Sequence, residues 1–184
     1  MEIVQKHPSG GYILEELHVG MTAEKTVEVT EARINMFAEA SDDFNPVHVD
    51  EAFAAKTAYR GRIAHGLLSA SFGSAVVGTI LPGAGAIYLS QTLQFHKPVR
   101  IGDKVMARIS VSSVDQESAR VMLRCAGYVN DELIMDGEAE VRVPRHCAAD
   151  RLGRRRPRLQ GPGQRAGPAR HRQRPPPAGP ARGR

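Results

Sequence analysis

The sequence predicts an α+β protein in which an antiparallel sheet curls around one long helix. Two observations carry this. Residues 66–81 form a helix-length stretch that is apolar or small nearly all round, the habit of a helix buried on every side. After it come four segments in which apolar residues recur at every second position, the habit of antiparallel strands with one covered face.

Residues 1–30 read as irregular, with "TAEKTVEVT" alternating enough to be a strand. Thr30 is then a plausible N-cap, with Glu31 in the first turn, where a carboxylate is welcome. Ile34, Phe37 and Ala38 at helical spacing predict a helix from Glu31 to Ser41. Pro46 cannot extend it, and Asn45 before a proline is pushed toward extended backbone, so residues 43–48 read as a tight turn. "DEAFAAKTA" suits a short helix. The long helix in "HGLLSASFGSAVVGTILPG" ends at Pro82 and Gly83.

The four strands follow. Residues 86–96 place Ile87, Leu89, Leu93 and Phe95 on one face, and residues 104–111 do the same with Val105, Ala107, Ile109 and Val111. Residues 120–129 carry Val121, Leu123, Cys125 and Val129, and residues 133–143 carry Leu133, Met135, Ala139, Val141 and Val143. "SSVDQES" and "VND" supply hairpin turns. Long strands in a sheet with two edges imply pairing across a dimer.

The formal charge of +5 is spread unevenly. Residues 1–144 hold 13 Lys and Arg against 19 Asp and Glu, a net of −6, whereas residues 145–184 hold 12 Arg, no Lys and one Asp, a net of +11. That second stretch has no aromatic and almost no large aliphatic side chain, so it reads as a disordered Arg/Pro/Gly-rich tail. Arginine without lysine points to GC-rich coding bias, and no nucleic-acid partner is expected. Cys125 and Cys147 imply no disulfide framework and fit a reducing compartment. The first residues lack the charged-then-apolar pattern of a signal. The longest apolar stretch falls short of the roughly 20 residues a membrane span requires. A cytoplasmic protein is expected.

The densest chemistry lies in "ASDDFNPVHVD". Asp42 and Asp43 are like charges at a helix C-terminus, where the backbone already carries negative charge. Asp43 and His48 flank a proline turn that can bring a carboxylate and an imidazole to one spot, a pairing suited to proton transfer. Read alone, the same residues equally suit a solvated turn with a packed histidine. His65-Gly66 stands at the start of the long helix, whose unpaired N–H groups can meet a developing oxyanion. Ala70, Ser74 and Val77 share one helical face and could line an apolar pocket. Gln91 interrupts an apolar strand face and needs a buried partner. There is no G-x-G-x-x-G, Walker lysine, HExxH, CxxC or G-x-S-x-G, so neither a metal nor a nucleotide phosphate loop is expected.

D-x-N-P-x-H, the His-Gly at the helix start, "LPG…IYL" and "PVRIGD" occur in order, and the chain from about residue 12 to residue 144 resembles the (R)-specific enoyl-CoA hydratases, the MaoC-like dehydratases. The resemblance implies a hot-dog fold and a homodimer. It also implies hydration of trans-2-enoyl-CoA to (R)-3-hydroxyacyl-CoA, with no cofactor beyond the CoA of the substrate. Asp43 and His48 match the family's catalytic pair, and the main-chain N–H of Gly66 matches its carbonyl-polarising donor. Asn45 matches the position that orders the loop or the water, and Ser74 a small residue by the acyl pocket. A hot-dog acyl-CoA thioesterase and a non-catalytic acyl-CoA-binding module are the alternatives. D-x-N-P-x-H argues against the first, and retention of both Asp43 and His48 argues against the second.

Overall fold

A computed structural model describes residues 2–145 of the chain. From residue 146 on, the arginine-rich segment and the disorder expected of it lie outside the described residues. Strand β1 (Glu2–Ile3) pairs in parallel with β2 (Met21–Glu28). Four helices follow: α1 (Glu31–Ser41), α2 (Pro46–Val49), α3 (Glu51–Ala54) and the long α4 (Gly66–Thr79). Then come β3 (Ile87–Gln91), β4 (Gln94–Phe95), β5 (Lys104–Asp115), β6 (Arg120–Val129) and β7 (Glu132–Arg142). The sheet order is β1-β2-β5-β6-β7-β3, with β4 also on β7, and every pairing but the first is antiparallel.

The concave face of the sheet is built by register. Ala23 stands opposite Ile109, Ile109 opposite Cys125, and all three point inward and are buried. Val105, Ala107, Val111, Val121, Leu123, Ala139 and Val141 extend that surface. Helix α4 lays Leu68, Phe72, Val76 and Val77 into it. Burying side chains of this size contributes roughly 1.5–3 kcal/mol each before entropy is counted. Irregularities between Val111 and Ser113, and between Gly127 and Tyr128, add curl to the long strands.

Three expectations are corrected. Helix α4 is not covered all round: Leu67 is 60% exposed, and Ser71, Ser74 and Gly78 continue that open face. The stretch expected as one strand over 86–96 is two, β3 and β4. A Cβ on Gly137 of β7 would collide with the Thr92 carbonyl, so the chain between β3 and β4 crosses β7 where β7 has no side chain. Finally, Pro46 does not merely break the chain; it occupies the first turn of α2, where its missing N–H costs nothing.

Substituting Gly137 with alanine should force the Thr92 main chain to shift. A loss of about 1–3 kcal/mol in urea unfolding is expected, as for overpacking elsewhere.

Candidate active site

The site lies where three helix ends meet. Thr30 caps α1 by accepting the Arg33 amide at 3.3 Å. At the other end Asp42 takes the left-handed conformation, with φ 60°, and turns the chain. Asp43 follows directly, exposed, and its Oδ1 accepts the Asn45 amide at 3.2 Å. Asn45 in turn caps α2 by accepting the Val47 amide at 3.2 Å. Two short-range bonds thus lock the Asp-x-Asn-Pro loop and start the helical turn that carries His48.

The His48 ring is fixed at one nitrogen. Nδ1 donates to the Ile63 carbonyl at 2.9 Å, which leaves the Nε2 lone pair of the neutral ring free. Burial is the main cause that pulls the imidazole below its usual 6.5. The Ile63 bond opposes this, the His65 ring reinforces it, and the Asp43 charge opposes it. The result is an imidazole that is neutral at pH 7. Arg62 holds the segment from behind. Its Nε donates to the His48 carbonyl at 2.7 Å, while Nη1 meets Glu31 Oε1 at 2.5 Å and Nη2 reaches Asn35 of α1 at 3.5 Å.

His65 precedes α4 and is 2% exposed. Its ring centroid stands 3.9 Å from that of His48 and 5.0 Å from that of Phe37. Among the described residues, Asp43, His48 and His65 offer ligand-type atoms within 4.8 Å of one another, so this is where a cation could be held. The two rings are tilted 33° from parallel and stack face against face. Gly66 opens α4, and no acceptor among the described residues meets its N–H. A Cβ there would come within 3.0 Å of the Phe95 ring.

His48 and Gly66 line a cavity of about 450 Å³ together with Tyr59, Leu67, Phe95 and Lys97. A second cavity, of about 250 Å³, lies between α4 and the sheet, lined in part by Ala70, Ser74, Tyr88, Gln91 and Cys125. Burial first, then the neighbouring Cys125, pushes the Tyr88 hydroxyl up to about 12, against the Ser74 hydroxyl. Burial pushes the Cys125 thiol up to about 11. Both stay protonated at neutral pH.

The structure places the expected residues unequally. Asp43, Asn45, His48 and Gly66 come together. Ser74 and Ala70 line the smaller cavity, but Val77, expected beside them, is 1% exposed in the hydrophobic core. Gln91 is exposed, not buried, and is answered by the Thr92 carbonyl and the Cys125 thiol. Sequence reasoning missed Tyr88. A shift in pairing between Tyr88 and Ser90 turns Tyr88 and Gln91, not Leu89, toward the cavity. It also missed Arg62, which had no signal beyond being a cation near the motif.

The family description "MaoC like domain" matches residues 16–128. The chain is 48% identical over 141 residues to the 3-hydroxybutyryl-CoA dehydratase of Methylorubrum extorquens, covering 77% of this chain and 90% of that protein. It is 44% identical over 133 residues to the (R)-specific enoyl-CoA hydratase of Rhodospirillum rubrum, covering 72% and 92%. The solved (R)-hydratase from A. caviae involved in PHA biosynthesis matches with a TM-score of 0.69 at 40% identity, covering 71% of this chain and 99% of that one.

The lowered His48 pKa has a defined consequence for stability. As pH falls below 6.5 the unfolded chain binds the proton first, so this contribution to stability is lost from there down to the folded value. An NMR titration should place the His48 midpoint below 6.5. Between pH 7.5 and 5 the urea midpoint of the wild type should fall more than that of His48→Gln.

Proposed function

The chain belongs to the MaoC-like dehydratase family and is a hydro-lyase, and we propose that its reaction is the addition of water to trans-2-enoyl-CoA, giving (R)-3-hydroxyacyl-CoA. The observation that carries this reading is the convergence on one cavity of the His48 imidazole and the unpaired Gly66 N–H, with the Asp43 carboxylate within 4.8 Å of the imidazole. Asp43 and His48 together hold one water. Its oxygen bonds to C3 as one O–H bond breaks to the pair. The electrons of the C2=C3 bond move toward the thioester carbonyl, whose oxygen takes up charge against the Gly66 N–H. C2 then receives a proton from the same pair on the same face, so the net change is one water added. Proton transfer and carbonyl polarisation each contribute roughly two to four powers of ten in rate. The reaction calls on no metal and no cofactor beyond the CoA of the substrate.

The acyl chain is assigned to the smaller cavity, with Ser74 and Ala70 on its wall. A homodimer is supported by two neighbouring open surfaces. Edge strand β3 exposes Ile87, Tyr88 and Leu89 at 60%, 37% and 39%, and α4 leaves Leu67 and Ser74 uncovered. A second copy would cover both. Among the described residues no helix is long and apolar enough to cross a membrane. A cytoplasmic setting suits the free Cys125. The A. caviae hydratase is described as acting in PHA biosynthesis, and supply of (R)-3-hydroxyacyl-CoA to polyester synthesis is the corresponding role within fatty-acid metabolism.

The test is loss of crotonyl-CoA absorbance on hydration, with chiral analysis of the product. The wild type should give the (R) alcohol. Asp43→Asn and His48→Gln should each lower kcat by roughly two or more powers of ten. Release of free CoA thiol in place of hydration would establish a thioesterase instead.

A further inference from the structure

The His65 side chain is buried at a polar cost that packing does not explain. Its Nε2 lies 3.0 Å from the main-chain carbonyl of Asp43. A carbonyl only accepts, so the proton is on Nε2, and in the neutral ring Nδ1 is a bare lone pair. That Nδ1 is buried with no hydrogen-bond partner. A leucine or phenylalanine would fill the space without an orphaned acceptor. Costly local choices of this kind gather where function demands them. The same ring lies 3.9 Å from the His48 ring, centroid to centroid, and its own peptide leads into the Gly66 N–H.

We infer that His65 is a positioning residue, whose Nε2–H bond to the Asp43 carbonyl and stacking on His48 bind the carboxylate, the imidazole and the Gly66 amide into one rigid unit. The inference rests on the hydratase reading of this site. The reason for an imidazole is that it supplies both a flat face for His48 and an N–H in a small ring; tryptophan is the other uncharged side chain with both, and its indole is larger than this buried site holds. Phenylalanine has the face alone. Glutamine has the N–H alone. The three reacting groups come from different elements, the loop after α1, α2 and the first turn of α4; Arg62 ties the His48 segment to α1, whereas the His65 side chain reaches Asp43 and His48 together and its own peptide leads into Gly66. A misplacement of about 1 Å at a reacting group can cost about 100-fold in rate.

Two measurements test this, both on the full chain. The first is the imidazole 15N–1H correlation spectrum of the wild type. A slowly exchanging His65 Nε2–H is expected, and an Nδ1–H tautomer or rapid exchange overturns the inference. The second is kinetics of crotonyl-CoA hydration. His65→Phe should lower kcat by roughly 10- to 100-fold with KM changed less than about threefold, and His65→Gln should recover part of the loss. Wild-type kcat in both variants overturns the inference. So does a loss that vanishes at 10 °C, because that reports unfolding. Should His65→Phe fail to fold, the nitrogen spectrum decides. A wild type that does not hydrate crotonyl-CoA sinks the hydratase reading, and the spectrum then judges His65 by itself.

Discussion

Everything in the molecule depends on burying one face of α4 inside the curl of the sheet. Phe72, Val76 and Val77 on the helix meet Ile109, Val121, Leu123 and Val141 on the strands in a single cluster. That contact fixes where the helix begins, and the beginning of the helix is where Gly66 offers its amide. Gly73 lets Ile109 of the sheet come close on the covered side, while Leu67, Ser71, Ser74 and Gly78 form a bare outer face. The same feature thus gives a core on one side and an unfinished surface on the other.

The site itself is made from main-chain ends. A left-handed residue terminates α1, an Asx bond starts α2, and an unpaired N–H starts α4. Helix termini supply groups that the regular backbone cannot use internally. Around them Arg62 and His65 act as cross-ties, one gripping the His48 carbonyl and the other the Asp43 carbonyl. The His48 ring is held at Nδ1 as well as through its backbone, which leaves Nε2 of the neutral imidazole free.

What the sequence made legible follows from how local each signal is. The span of α1, the Thr30 cap and the three long strands rest on periodicity and on contacts within a few residues. Proline signals a stop, so the sequence predicts a turn over 43–48; proline at the first helical position is also a start, and only the Asn45 cap tells the two apart. Helical spacing groups Val77 with Ala70 and Ser74, but the cavity sits nearer the helix's open side and Val77 turns into the core. Tyr88 was lost because alternation assumes an unbroken strand. The partners of Arg62 lie on other elements, as far along the chain as Glu31, and no local rule joins them.

The pairing shift in β3 has a consequence for how such a cavity changes over evolutionary time. Tyr88 and Gln91 sit on the same wall although their spacing is odd, because one residue between them is looped out of step. Removing the looped-out residue would restore plain alternation and leave Tyr88 and Gln91 two positions apart, still on the same wall. The bulge therefore works as slack: this edge strand can lose one residue of length while the chamber lining and the core strands β5, β6 and β7 stay as they are.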